Sequence, residues 1–264
     1  GVMAFAGGNA AIAAALHANL LRVLPAGSLA SNSIVLEVKE VPGGVEVLYE
    51  NTKGALRLVK ARSVVFAAPK YVAKGIVKNL APAQASAWKS MNYRAYVVAN
   101  VLLKRKVDPK AFDLFRLQGK VPETPSFGRK PARAFTDLVF ADWASRGKAT
   151  QSVLTVYKPL PYDGARNSLV DAHARILREL ETEMAQTLPL LGIPASELAG
   201  IRLTRWAHSV PLAEPGLIKN GSLEKIGAPH GRISFANQDN YMNPAFETAF
   251  SAAEKAAGEA RKFL

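Results

Sequence analysis

Cysteine is absent from this 264-residue chain, which excludes disulfides and thiolate metal sites. No run of about eighteen apolar residues occurs, so no helical membrane span is expected. Histidine is scarce, with four in all. Neither HExxH nor a paired-His spacing appears, and no metal site is expected. A nucleophile elbow is missing as well. Acidic side chains are outnumbered: 21 Asp and Glu stand against 34 Lys and Arg, a formal net charge of +13.

A balance this basic raises nucleic-acid or anionic-surface binding as a formal alternative. The basic residues are nevertheless spread along the chain, densest in Lys104–Lys110 and Gly128–Arg133. Neither block interleaves aromatics on a regular period, and no nucleic-acid-binding motif appears. We read a solvated basic face, or one facing an acidic partner chain, and expect no nucleic acid. With 49% apolar residues the chain can bury one large or two small cores. The apolar opening stretch lacks a basic leader and reads as mature or truncated chain rather than a signal peptide. Compartment is left open beyond a soluble, cytoplasmic or periplasmic expectation.

Helix and strand patterns alternate. Ala10–Leu24 reads as a helix behind Gly7-Gly8, with Asn9 as N-cap and Ile12, Leu16, Leu20 and Leu24 in one apolar line, a core helix. Strands follow at Ser33–Val41, Val45–Glu50 and Ala55–Val59, joined by turns at Pro42-Gly43-Gly44 and Asn51–Gly54. Val64–Ala68 is an unbroken apolar run suited to a strand buried on both faces. Val97–Leu103 reads as a strand carrying one polar residue, Asn100, which burial obliges to find a partner. Asp108–Lys148 reads as long loops around short strands. Gln151–Lys158 is a strand, and Ser168–Leu188 an amphipathic helix with Ile176, Leu177, Leu180 and Met184 inward. Ile201–Trp206 is a strand leading through His208, a surface or core histidine, to Pro215-Gly216.

The last stretch, Gly231–Leu264, is a strand (Arg232–Ala236), a polar loop and a helix. Asn243 is the expected N-cap and Pro244 the first helical residue. Its apolar stripe runs through Ala245, Phe246, Ala249, Phe250, Ala253, Ala256, Ala257 and Ala260. A strand, a loop and a helix N-terminus in this order can present free N–H groups and a positive dipole end to an electron-rich ligand.

Phe235-Ala236-Asn237-Gln238-Asp239, followed by Tyr241-Met242-Asn243-Pro244-Ala245, resembles the C-terminal FAD-binding segment of the flavin-containing amine oxidase family. The family's glycine is Asn237 here, and its Glu-Gly pair is Asn243-Pro244. The meander with Val35, and the strand ending in Ala68-Pro69, also stand in the family's order. The resemblance implies non-covalent FAD, a cysteinyl linkage being excluded, with Val35, Ala68, Pro69, Asn237, Asp239, Met242 and Asn243 at the cofactor. It implies Tyr241, Trp206 and Asn100 around the flavin's reactive face as catalytic candidates. Tyr241 matches one wall of the family's aromatic cage; the opposite wall has Leu212, Leu217 and Ile218 instead. The lysine that many amine oxidases carry on the Asn100 strand is missing, with none before Lys104.

The implied fold class is α/β (α+β): a partial FAD-binding domain from residues 1–80 and 230–264, built of the β-meander and the C-terminal strand and helix. A mixed-sheet substrate domain, residues 81–229, is inserted in it. The implied activity is hydride transfer from an amine or a related C–H donor. The family's G-x-G-x-x-G fingerprint is absent, because no strand precedes Gly7-Gly8 and their spacing is wrong. An N-terminal dinucleotide-binding chain, or self-association, is therefore expected to complete the domain. The competing expectation is a binding or assembly module that kept the scaffold and lost FAD.

Overall fold

The computed structural model describes residues 5–108, 111–115, 135–142, 149–160 and 173–264. The chain divides into two units, Gly1–Ser28 with Arg94–Ser209, and Leu29–Tyr93 with Val210–Leu264. The sequence-based division, 1–80 with 230–264 against 81–229, differs from this one at both ends. Residues 81–93 and 210–229 fall in the second unit because their helices share its core. Trp88 Nε1, for example, donates to the Ile226 carbonyl at 3.1 Å.

The first unit is built on a five-stranded sheet of order β6-β7-β8-β5-β9. Its strands are β5 (Tyr93–Leu103), β6 (Asp113–Phe115), β7 (Asp137–Phe140), β8 (Val153–Pro159) and β9 (Leu198–Pro211). Along β5 every second residue is buried, Ala95, Val97, Ala99, Val101 and Leu103, the period-2 signature of a strand with one covered face. That face shares a core with Ile176, Leu180 and Met184 of a helix at His173–Thr187 (α4), whose i, i+4, i+8 spacing aligns them. Residues 168–172 of the expected helix, the basic block 128–133 and most of the expected loops between 108 and 148 lie outside the described residues. Helix α1 (Ala10–Val23) begins at Asn9 as expected, but no Asn9 side-chain cap forms and none of its residues is buried. Leu16 is 48% exposed and Leu20 40%. The expected core helix is thus an apolar helix left uncovered.

The second unit contains the antiparallel meander β1 (Ile34–Val41), β2 (Gly44–Glu50) and β3 (Leu56–Ala61), with a bulge between Val35 and Glu37. Beside it β4 (Val64–Phe66) and β10 (Ile233–Phe235) pair in parallel, Ile233 opposite Val64 and Phe235 opposite Phe66. Parallel pairs normally lie inside larger covered sheets. Here the sheet has two strands, and Val65, expected to be buried on both faces, is 42% exposed. Helices α2 (Lys70–Ile76), α3 (Pro82–Lys89), α5 (Ser222–Gly227) and α6 (Phe246–Arg261) complete the unit. Its core joins Val38, Val45, Phe66, Trp88, Ile226, Ile233 and Phe235. Where the chain leaves and re-enters this unit, Leu212 N–H donates to the Asn92 carbonyl at 2.9 Å and Asn92 Nδ2 to Glu214 Oε1 at 2.8 Å.

Helix α6 starts later than expected. A 3-10 turn occupies Gln238–Tyr241, Met242 adopts a left-handed conformation (φ 50°), and the N-cap is Ala245, not Asn243. Pro244 precedes the helix because Ala245 N–H closes on the Asn243 carbonyl (2.8 Å), while the Thr248 hydroxyl donates to the Asn243 and Ala245 carbonyls. The buried residues of α6 are Ala252 and Ala256. Phe246 and Phe250, expected on the inner stripe, are about half exposed and pack against each other with centroids 4.7 Å apart and ring planes tilted by 58°.

Candidate functional site

The parallel pairing of β4 and β10 aligns their carboxyl ends, the place where open α/β sheets bind ligands. Both chain segments leaving those ends are stitched together. Ala236 N–H continues the ladder to the Phe66 carbonyl (2.9 Å), and Asn237 Nδ2 donates to the Ala67 carbonyl (3.2 Å). Asn237 Oδ1 accepts from Asp239 N–H at 3.0 Å, which caps the 3-10 turn. Ala68, Pro69, Asn237 and Asp239, inferred separately as cofactor residues, are therefore gathered at one end of one sheet.

Asp239 is the centre of this end. It is fully buried, and its Oδ2 accepts from Lys70 N–H at 2.8 Å and from the Tyr93 hydroxyl at 2.6 Å. Among the described residues its Oδ1 has no hydrogen-bond partner. A buried carboxylate oxygen left unmatched is costly. The first turn of α6 adds to this: its N-cap, Ala245, makes no side-chain bond, leaving the helix's opening N–H groups without a side-chain cap.

Beneath Asp239 lies a residue that the sequence reading missed. Lys70 is fully buried; its Nζ donates to Asn240 Oδ1 at 2.5 Å and sits 4.6 Å from the Phe235 ring centroid and 5.5 Å from that of Trp88. Asn240 is fixed in turn by donating from Nδ2 to the Phe235 carbonyl at 2.7 Å. Burial lowers the Lys70 ammonium from 10.5 to about 8, the charge of Asp239 acting in the opposite direction. The Tyr93 phenol is raised above its ordinary value, first by burial, then by the Asp239 charge and the hydrogen bond to it. A bond from the Tyr71 backbone works the other way. The one sequence signal for Lys70 is its position directly after the Ala68-Pro69 strand end.

Tyr241 and Met242 border a cleft of about 430 Å³ that Pro215, Gly216, Leu217 and Ile218 also line. Tyr241 is 39% exposed there, and the facing wall is aliphatic. Asn243 follows Met242 into the α6 start. Val35 lies on β1 opposite Tyr49. The other two catalytic candidates belong to the first unit. Asn100 on β5 accepts from the Thr155 hydroxyl at 3.1 Å, which supplies its expected partner, and Trp206 on β9 is half exposed. Among the described residues no cluster of three or more His, Asp or Glu could hold a metal ion. No helix among them is long and apolar enough to cross a membrane.

No family model matches the chain. It is 26% identical over 216 residues to the oxidoreductase PigB of a Serratia species, a match covering 80% of this chain and 31% of PigB. Among solved structures, cyclohexylamine oxidase from Brevibacterium oxydans superposes with a TM-score of 0.58 at 14% identity, over 86% of this chain and 48% of that one. A putrescine oxidase with redesigned cofactor binding superposes with a TM-score of 0.66 at 14% identity, over 97% of this chain and 53% of that one. The mixed α/β fold is thus the amine oxidase fold over the matched part. The chain spans about a third of the length of PigB and about half of each oxidase.

Proposed function

We propose that this chain is the C-terminal portion of an FAD-dependent oxidoreductase of the amine oxidase type. The observation that carries the reading is the unmatched Asp239 Oδ1 at the joined carboxyl ends of β4 and β10, beside a helix whose N-terminus no side chain caps. These residues fit a hydroxyl-bearing, electron-rich cofactor. Asp239 would accept a hydrogen bond from a hydroxyl, Ala68 and Pro69 would border the cofactor through their backbone, and Asn237 would keep the two strand ends together. Met242 and Asn243 would set the approach to α6, and Val35 would contribute from the meander. Bound there, FAD supplies a hydride acceptor for a C–H donor, and the protein supplies orientation and electrostatics.

Tyr241 would form one wall over the reacting face; Trp206 and Asn100 are the further catalytic candidates. We assign Leu29–Tyr93 with Val210–Leu264 to the cofactor and Arg94–Ser209 to a small-molecule substrate such as an amine. The exposed Val65 and a parallel sheet of two strands among the described residues support a partner that completes the cofactor domain. A dinucleotide-binding chain, or a second copy of this one, would meet that need.

The test is a visible spectrum of the purified chain, alone and with any co-purifying chain. Flavin absorbance that stays with the protein through gel filtration supports the reading. A colourless protein in both preparations overturns it in favour of an assembly module that lost its cofactor.

A further inference from the structure

Resting on that flavin reading, we propose that Lys70 is a positioning residue. It holds the Asp239–Asn240 turn from below, and its positive charge offsets the Asp239 carboxylate so that an anionic cofactor can dock at the ends of β4 and β10.

Two bonds leave this single residue for two consecutive residues of the turn: the backbone N–H to Asp239 Oδ2 (2.8 Å) and Nζ to Asn240 Oδ1 (2.5 Å). Together with the Tyr93 hydroxyl on Oδ2, they orient the carboxylate and leave Oδ1 as its unspent acceptor. A buried carboxylate alone would repel a phosphate-bearing ligand, and a buried ammonium beside it cancels that charge. Stability gives no reason for the lysine. A desolvated ammonium held by one neutral amide and two ring faces costs free energy that the nearby Asp239 charge offsets only in part. Residues that break a local rule at a net cost concentrate at functional sites.

The titratable groups facing the ammonium are Asp239 on the turn and, through it, Tyr93 on β5. Tyr71 packs edge-on against the Tyr93 ring at 5.3 Å, while α3 and β10 present the Trp88 and Phe235 rings. Losing the Lys70 proton would leave the end of the sheet with the net charge of Asp239 alone, and an anionic ligand would bind less well.

The test titrates FAD against the chain, with any chain that co-purifies, by quenching of flavin fluorescence between about pH 6.5 and 9.5. The wild type is expected to lose about tenfold in affinity between about pH 7 and pH 9, as the ammonium titrates. Lys70→Met is expected to bind about tenfold more weakly at pH 7 and to lack the pH step. A merely structural lysine would leave Lys70→Met weaker by the same factor at pH 7 and at pH 9, and that result overturns the proposal. So does a wild-type affinity flat in pH, or an unchanged Lys70→Met affinity; either leaves the flavin reading standing. Should Lys70→Met not fold, Lys70→Gln decides, since a pH step that persists there overturns the proposal and its loss supports it. A wild type that binds no FAD at all removes the flavin reading and this inference with it.

Discussion

Asn237 donates from Nδ2 to the Ala67 carbonyl, a bond that spans 170 residues of chain and closes the carboxyl ends of β4 and β10 against each other. The same side chain caps the following turn through Asp239 N–H. Asn237→Ala removes both interactions and leaves a capped N–H and a carbonyl without partners. It should lower stability by about 1–2 kcal/mol, read as a shift in the urea midpoint at unchanged slope.

Asp239 and Tyr93 share a hydrogen bond of 2.6 Å, and the carboxylate holds the phenol proton in place. Asp239→Asn removes the charge and weakens the bond, so Tyr93 should ionise at lower pH than in the wild type. Phenolate absorbance near 295 nm, followed through the alkaline range, reads the change. An unchanged titration would show that burial alone sets the Tyr93 value.

Lys70 also makes a prediction about stability and pH. Its folded-state value of about 8 lies below the unfolded 10.5, so between those limits the unfolded chain keeps a proton that the folded chain has released. Stability contributed through this group therefore rises with pH across that window and is lowest below it. Relative to Lys70→Met, which has no such proton, wild-type stability should gain up to about 3 kcal/mol from pH 8 to pH 10.5. Denaturant titrations of both proteins at matched pH give the difference.

Gly44 opens β2 with its Cα against the returning β3. A Cβ there would stand 2.6 Å from the backbone carbonyl oxygen of Ala61, an atom that cannot swing away as a side-chain tip can. Gly44→Ala should force the β2–β3 ladder apart and destabilise the meander by about 1–3 kcal/mol. Amide exchange along 45–50 and 56–61 should rise with it, and protection kept at the wild-type level would count against the clash.

The architecture is legible in the sequence wherever periodicity meets a turn signal. Pro42-Gly43-Gly44 between two alternating runs specifies the β1–β2 hairpin, and the i, i+4, i+8 set Ile176, Leu180, Met184 specifies the inner line of α4. The gathering of Ala68, Pro69, Asn237 and Asp239 is legible only through the resemblance of their segments to the amine oxidase family. The start of α6 is not. Pro244 fits a first helical position, yet the left-handed Met242 and the closed Asn243–Ala245 turn delay the helix to Phe246. Nor does α1 announce that its apolar line finds no cover within the described residues, because apolar periodicity says that a face wants burial and not what buries it. Lys70 is hidden for a related reason. Its burial depends on Asp239 and Asn240, partners 169 and 170 residues away, and no local pattern marks a lysine for the interior.

The tie between Asn92 and Leu212 gives the long excursion from 94 to 209 a single doorway, with departure and return side by side. The stitched end of β4 and β10 draws every one of its bonds from residues on the near side of that doorway. The excursion behaves as a cassette. Its sequence can drift or lengthen without touching a bond of that stitched end.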